Sequence, residues 1–200
     1  MRLNWCFGRR VSRASLSDIA QAAGATSGAI YWHFKDKVDL FGAMMDRVTL
    51  PLEQGFASFE DSAGADPVQR LRAVMALVFR SVASDEHTRR VFEIALYKVE
   101  YVSELMGLRE RHAAASEGFT QQLARGCVLA AEAQGVALSR SAMEAAISLH
   151  ALFDGLIRNW ILNEGGFDLV CVGGASTDAF LQGVGLSLDG SKESMRPCRD

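Results

Sequence analysis

Residues 26 to 37 combine hydrogen-bond donors with small side chains in a pattern that suits contact with a polyanion. The small residues stand first, and small side chains allow the start of a helix to enter the major groove of DNA. Donors follow, and phenol, indole, imidazole and ammonium groups can all donate to phosphate oxygens. The stretch therefore predicts a DNA-contacting surface made of Ser27, Gly28, Ala29, Tyr31, Trp32, His33 and Lys37.

Each of the larger residues in this stretch also has a simpler interpretation. Tyr31 and Trp32 could be core aromatics, since both side chains carry a large apolar surface. His33 could be an exposed histidine without a role, and Lys37 could be an ordinary solvated lysine. The residue types alone leave both interpretations open.

Catalytic and metal-binding patterns do not stand out in the sequence. The histidines show no serine–histidine–aspartate or metal-ligand spacing, and no cysteine pair has CxxC spacing. The glycine-rich segment GVGLSLDG has neither a preceding strand nor a lysine, so it is not a phosphate-binding loop. We expect a protein that is not an enzyme and that has no cofactor and no metal ion. The residues considered are His33, His87, His112, His150, Cys6, Cys127, Cys171 and Cys198.

A helix-turn-helix must position the DNA-contacting residues. Apolar periodicity predicts short helices over residues 15–22 and 26–34, and a longer one from Lys37 to about Phe56. Gly24 permits the tight turn between the first two, and Thr26 can cap the second. This arrangement would present the start of the second helix to DNA.

The rest of the sequence also predicts helices, so the expected fold class is all-α. Asp66 and Pro67 begin one helix, and Ser141 with Glu144 forms a capping box for another. The segment FDLVCVG is a local β-like run. We expect a DNA-binding domain over residues 1–50, a ligand-binding and dimerisation domain over 51–190, and a disordered tail over 191–200. The other predicted helices cover residues 87–96, 100–134, 141–163 and 177–188.

Charge and composition agree with a nucleic-acid-binding head on an acidic body. Residues 1–50 contain seven Lys or Arg and four acidic residues, a net charge of +3. The remainder contains 14 basic and 20 acidic residues, a net charge of −6. No apolar run reaches the length of about 18 residues that suggests a membrane span. We therefore expect a cytoplasmic protein without a membrane partner.

The stretch SLSDIAQAAGATSGAIYWHFKDKVDLF, residues 15–41, resembles the DNA-binding signature of the TetR family of repressors. TRRVFEIALYKVEYVSEL (88–105) and FDGLIRNWIL (153–162) resemble the subgroup that represses multidrug efflux pumps. The resemblance covers roughly residues 11–188. It implies an all-α homodimer that binds operator DNA through its N-terminal domain and an effector through its C-terminal domain.

The resemblance also implies roles for individual residues. Those matching phosphate-contacting positions are Thr26, Tyr31, His33 and Lys37. Ser27, Gly28 and Ala29 would lie nearest the base edges. Related efflux repressors often have arginine at the position of Ser27, so an operator preference does not carry over.

Inward helical positions of the C-terminal domain predict a pocket for a small apolar or aromatic effector. Ordinary core packing is the alternative for the apolar members of this set. Among the polar members, Asp154 could instead pair with Arg158 on the surface. The predicted lining is Val74, Val78, Phe92, Leu96, Ser116, Phe119, Leu123, Leu149, His150, Phe153, Asp154 and Ile157.

The family pattern has a full helix before the segment SLSDIA, and only 14 residues precede Ser15 here. We therefore expect a shortened N-terminus in which the first helix is largely missing. The leading prediction is a ligand-responsive repressor of a multidrug efflux system, with activation instead of repression left open. The alternative is a ligand-binding helical dimer that has lost DNA binding.

Overall fold

A computed structural model describes residues 14–47, 66–98 and 106–188. Within these ranges every regular element is a helix, which confirms the all-α prediction. The described chain forms two compact units. The first contains residues 14–47, 87–98 and 106–115, and the second contains residues 66–86 and 116–188. The predicted N-terminal shortening, the domain boundaries at 50 and 190, and the tail over 191–200 lie outside the described residues.

The first unit begins with the predicted helix-turn-helix. Helix α1 spans Leu16–Ala22, and Ser15 and Asp18 form a reciprocal capping box at its start. Gly24 has a φ of 71° in the turn, a conformation that glycine adopts without steric cost. Helix α2 spans Ser27–His33, and the Thr26 hydroxyl caps it by accepting from the backbone N–H of Ala29. These observations confirm the first two predicted helices.

Helix α3 occupies residues 37–47, and its predicted continuation to Phe56 lies outside the described residues. Asp36 begins this helix by accepting a hydrogen bond from the backbone N–H of Asp39. The helix has two apolar faces. Leu40 belongs to a cluster with residues of α1 and α2, and Phe41 belongs to a separate cluster with Ile94 and Ala95.

Helix α5 spans Glu86–Glu93 and continues as a π-helical turn over Ile94–Lys98. The prediction of one regular helix over 87–96 is therefore only partly right. Ile94 and Ala95, in the π-helical turn, are buried against Phe41 of α3. A side chain that must meet a long-range partner can change the local helix type, and apolar periodicity does not show this.

The second unit contains α4 (Pro67–Ser84), most of α6 (Met106–Gln134), α7 (Ala142–Leu162) and α8 (Leu169–Gly183). Asp66 caps α4, and the Ser141–Glu144 capping box is present at α7, as predicted. Gly135 follows α6 with a φ of 63°, a left-handed conformation that ends the helix and that glycine adopts without steric cost.

Helix α8 corrects one prediction. The last helix was expected over 177–188, and the segment FDLVCVG before it was noted only as a local β-like run. Asp168 instead caps a helix that begins at Leu169, by accepting from the backbone N–H of Cys171, and the helix ends at Gly183. Leu169 and Leu181 are both buried, so packing outweighs the β-propensity of the intervening valines.

Helices α4 and α8 pack closely at two points. Gly173 lies against the ring of Phe79, where a Cβ atom would overlap the ring. Nε and Nη2 of Arg72 donate to the two carboxylate oxygens of Asp178 at 2.6 and 2.8 Å. A small residue and a bidentate ion pair therefore fix the contact between these helices.

Candidate nucleic-acid interface and effector site

Helix α2 has one buried face, which holds it in the first unit. Ile30 is buried with Leu16, Ala20 and Leu40, and Phe34 packs against the same cluster. This cluster fixes which side of the short helix faces outward. Ile30 is thus fully inside this cluster, and Phe34 is half-buried at its edge.

The opposite face of α2 carries the predicted DNA-contacting residues. Trp32 is 85% exposed and Tyr31 is 55% exposed, so the interpretation of these two side chains as core aromatics is wrong. His33 is also exposed. Ser27, Gly28 and Ala29 are exposed at the start of the helix, and nothing lies within 4 Å of a Cβ atom placed on Gly28.

One donor beside this face, the hydroxyl of Thr26, is oriented by a local hydrogen bond. Oγ1 of Thr26 accepts from the backbone N–H of Ala29 at 3.2 Å, which leaves its own proton available to an outside acceptor. Lys37 is half-buried at the start of α3, and Lys35 is exposed two residues before it. Sequence reasoning missed Lys35, although the pattern KDK was a signal for a second cation near the helix start.

The second unit contains ten of the twelve residues predicted to line an effector pocket. The other two, Phe92 and Leu96, belong to the first unit. Of the ten, three are half-buried: Ser116, Phe119 and His150. Six are buried: Val74, Val78, Leu123, Leu149, Phe153 and Ile157.

Asp154 is a correction. Its predicted inward position is wrong, because its side chain is 53% exposed. One carboxylate oxygen lies 3.6 Å from Nε2 of His150, one helical turn earlier. Asp154 therefore lies at the edge of the predicted site.

Aromatic rings cluster around His150 in this unit. The centroid of Phe119 is 4.9 Å from that of His150 in an edge-to-face arrangement, and 5.6 Å from that of Phe153. Phe79 extends the cluster at 5.5 Å from Phe153. Sequence reasoning missed Phe79 as a member, although it shares the apolar stripe of α4 with Val74 and Val78.

A hydrogen-bond chain orients the imidazole of His150. The hydroxyl of Thr120 donates to the backbone carbonyl of Ser116 at 2.9 Å, so it must accept from Nδ1 of His150, 2.7 Å away. Nε2, the other ring nitrogen, faces the Asp154 carboxylate at 3.6 Å. The site therefore combines edge-to-face aromatic packing with one oriented imidazole. Thr120 was also missed, although it stands one turn after Ser116.

A separate open groove of about 510 Å³ lies between α6 and α7. Its lining is apolar except for one glutamine and one arginine. None of the residues predicted to line the effector pocket contributes to it. The lining residues are Gln121, Ala124, Arg125, Val128, Leu129, Ala142 and Met143.

Three further features, a metal site, a reactive cysteine and a membrane-spanning helix, find little support among the described residues. These ranges contain no group of three His, Cys, Asp or Glu side chains that could hold a metal ion. Burial raises the pKa of the Cys127 thiol to about 11, so this cysteine is not a reactive thiolate at neutral pH. No helix in the described part of the chain combines the length and apolarity that crossing a membrane requires.

The arrangement of a helix-turn-helix before a helical unit has counterparts among known proteins. Residues 10–44 match the family described as bacterial regulatory proteins, tetR family. Residues 66–185 match the C-terminal region of MAATS-type transcriptional repressors. The chain belongs to the TetR family. It resembles that family's multidrug efflux repressors, as the signature stretches predicted.

Two relatives show the extent of the similarity to TetR-family regulators. TtgR of Pseudomonas putida is 34% identical over 166 residues, which cover 81% of this chain and 77% of TtgR. AcrR of Shigella flexneri is 32% identical over 162 residues, covering 80% of this chain and 74% of AcrR. Both are transcriptional regulators rather than enzymes.

Solved structures of TetR-family repressors give the same result. NalD of Pseudomonas aeruginosa, the secondary repressor of the MexAB-OprM efflux pump, has a TM-score of 0.71 at 31% identity, covering 91% of this chain and 90% of NalD. SmeT, the efflux-pump repressor of Stenotrophomonas maltophilia, has a TM-score of 0.75 at 30% identity in its triclosan complex, covering 94% and 90%. This chain is thus a TetR-type transcriptional repressor.

The comparisons do not support the expectation that DNA binding is lost with a shortened N-terminus. The match to the DNA-binding region of the TetR family begins at residue 10 and runs to residue 44. It includes α1, α2 and the start of α3, which fold with caps and a buried core.

Proposed function

We propose that this TetR-family chain is a ligand-responsive repressor that binds operator DNA as a homodimer and controls a multidrug efflux system. The observation that carries the proposal is the outward exposure of Tyr31 and Trp32 on a helix whose other face is buried. Large exposed aromatic side chains beside small residues suit a partner surface rather than a core. Because the partner is operator DNA, the proposed site of action is the cytoplasm.

On the DNA side, the residues divide by what they can reach. We assign the phosphate contacts to Thr26, Tyr31, Trp32, His33 and Lys37. The three small residues, 27 to 29, would lie against base edges, where the hydroxyl of Ser27 can read either purine. Phosphate contacts fix the register, and the small residues let the helix come close.

The test is binding of the purified full chain to the promoter DNA beside its own gene, measured by fluorescence anisotropy. Between about 50 and 200 mM salt, six to ten phosphate contacts predict a loss of about 10³ to 10⁵ in affinity. Tyr31→Ala and Lys37→Ala should each weaken binding about tenfold or more, because a hydrogen bond to a charged group contributes about 1.5–3 kcal/mol. Glu132→Ala, at an exposed position of α6, is the matched control. No salt-dependent binding by a folded protein would refute the proposal.

On the effector side, we propose that an aromatic, largely apolar compound binds next to Phe119, His150 and Phe153. Ring edges supply contact area, and the imidazole of His150, oriented by Thr120, offers a polar contact to a hydroxyl group on the compound. The similar repressor SmeT has been solved in complex with triclosan, a compound of this class. The other buried residues predicted as lining would form the walls.

Triclosan is therefore the probe for the effector site, with binding followed by calorimetry. We expect binding that weakens operator affinity, and Phe119→Ala should reduce triclosan affinity about tenfold without a direct effect on DNA contacts. A ligand shifts a two-state equilibrium only if it binds one state better. Triclosan binding that leaves operator affinity unchanged would contradict the switch.

The homodimer part of the proposal rests on exposed apolar residues along α7. Three apolar side chains of α7 are exposed: Met143 by 46%, Ile147 by 55% and Leu162 by 66%. The other large apolar residues of this helix include several that are buried in the core. We propose that α7 and α8 of two copies form a four-helix interface. Ile147→Glu should convert the dimer to a monomer in light scattering and abolish tight operator binding. A wild-type monomer would refute this part.

A further inference from the structure

Arg111, on α6 in the first unit, forms a contact with α3 that the proposed DNA-binding residues do not include. Its Nη2 atom donates to Oδ2 of Asp46 at 2.8 Å, and both side chains are 46% exposed. The guanidinium group lies over the backbone of Gly42, one turn before Asp46. A Cβ atom at position 42 would overlap this group, so the guanidinium group, at the end of a flexible side chain, would have to shift.

The contact constrains α3 from the side of α6. Leu40 of α3 shares a buried cluster with Ile30 of the recognition helix α2. Phe41, the next residue, packs in the other cluster with Ile94 and Ala95. Apolar contacts of this kind have little directional preference. The ion pair at Asp46 and the close approach at Gly42 are directional, so they fix where α3 lies.

We propose that Arg111 is a positioning residue for DNA recognition, acting through α3 on α2 without touching DNA. The inference rests on the proposed operator binding. Lys37, at the start of α3, and Tyr31 and Trp32, on α2, keep their geometry relative to the phosphates only while α3 is held. Contacts that depend on geometry lose affinity when a supporting residue is removed.

The test compares operator affinity in Arg111→Ala, Gly42→Ala and the double variant. Arg111→Ala should lower operator affinity up to about fivefold, because the ion pair is about half exposed and exposed pairs are weak. Gly42→Ala should weaken binding similarly by displacing the guanidinium group. The double variant should be no weaker than either single one, because both changes remove the same contact. Arg109→Ala, at an exposed position two residues earlier on α6, is the matched control.

Two readouts separate positioning from other roles. Gly42→Ala replaces glycine inside a helix, a change that favours helix formation. If the contact between Arg111 and α3 only stabilised the fold, the operator affinity of Gly42→Ala would change in step with its melting temperature. Positioning instead predicts weaker operator binding without a fall in melting temperature. The salt slope of operator binding should stay unchanged in Arg111→Ala, because a lost phosphate contact would lower it by about one.

Each outcome is decisive. Unchanged operator affinity in Arg111→Ala, or strictly additive effects of the two substitutions, would overturn the inference. A salt slope reduced by about one would make Arg111 a direct phosphate contact, which also overturns it. Absence of operator binding by the wild-type chain would be a failure of the proposed function instead. In that case amide hydrogen exchange in the free protein tests whether Arg111 holds α3. If it does, the α3 amides should exchange faster in Arg111→Ala than in Arg109→Ala.

Discussion

The two compact units use aromatic side chains in opposite ways. In the first, α2 presents Tyr31 and Trp32 to the outside while Ile30 holds the helix. In the second, Phe79 and Phe153 are buried in ring-to-ring contact. Residues of one chemical class therefore form an exposed surface in one unit and a core in the other. The direction that a side chain faces distinguishes the two roles, and composition does not.

Polar groups differ between the units in the same way. In the second unit two largely buried groups are paired internally: Arg72 with Asp178, and the indole N–H of Trp160 with the carbonyl of Phe167 at 2.8 Å. In the first, the hydroxyl of Thr26 and the ring of His33 lie on an exposed surface. Substitutions in the second unit should therefore lower the free energy of unfolding, and substitutions on the α2 surface should weaken operator binding.

The largest expected effect is the loss of Phe79, which is fully buried at the contact of α4 and α8. Phe79→Ala should lower the free energy of unfolding by about 3–5 kcal/mol, because it removes buried surface and leaves a cavity. Urea unfolding followed by circular dichroism measures this. Leu77→Ala, at an exposed position of the same helix, is the control and should change stability by less than about 0.5 kcal/mol. Equal effects of the two substitutions would contradict the assignment of Phe79 to the core.

Local rules explain which parts of the fold could be predicted. The capping boxes at Ser15 and Ser141 involve residues three positions apart, so the sequence displays them directly. The exposed face of α2 followed from the periodicity around Ile30. The start of α8 at Leu169 was missed because burial of the helix, a tertiary effect, outweighed a β-like run of residues.

Long-range contacts explain what was missed in the candidate sites. Phe79 reaches Phe153, and Thr120 reaches His150, across separations that no single-helix pattern reveals. Asp154 was placed inward together with His150, one helical turn earlier, yet its side chain is 53% exposed while the adjacent Phe153 is buried. Such errors arise at the edge of a helix face, where helical spacing alone does not tell whether a side chain is buried or exposed.

The second prediction concerns the ion pair between Arg72 and Asp178, which is largely buried with two hydrogen bonds. Asp178→Asn removes the charge but nearly keeps the volume. We expect a loss of about 2 kcal/mol in unfolding free energy, since hydrogen bonds between charged groups contribute about 1.5–3 kcal/mol. Asp46→Asn provides a comparison in the first unit, where the ion pair is about half exposed and should contribute about 1 kcal/mol at most. A larger loss of unfolding free energy in Asp46→Asn than in Asp178→Asn would contradict the expectation that the buried ion pair is the stronger one.

The third prediction tests the binding side of the comparison with Trp32→Ala. Because this side chain is 85% exposed, its removal should change the unfolding free energy by less than about 0.5 kcal/mol. Operator affinity should fall about tenfold, through loss of the indole donor and its contact area. Urea unfolding and anisotropy on the same samples measure both. A loss of stability without a loss of affinity would place Trp32 with Phe79 as a structural aromatic.

The smallest expected effect is a pH dependence at the start of α7. The hydroxyl and backbone N–H of Ser141 donate to the Glu144 carboxylate, and they lower its pKa below the ordinary value of 4.5. A carboxyl group with a lowered pKa in the folded state stabilises the fold above its unfolded pKa, and this stabilisation is lost as the pH falls through the folded pKa. The difference in urea midpoint between wild type and Glu144→Gln should therefore be constant from pH 7 down to about pH 5 and shrink below about pH 4. Glu132→Gln, an exposed acid on α6, should show no such change. A difference that persisted at low pH would mean that the capping box acts through hydrogen bonds that do not need the charge, as the neutral cap of Thr26 does at α2.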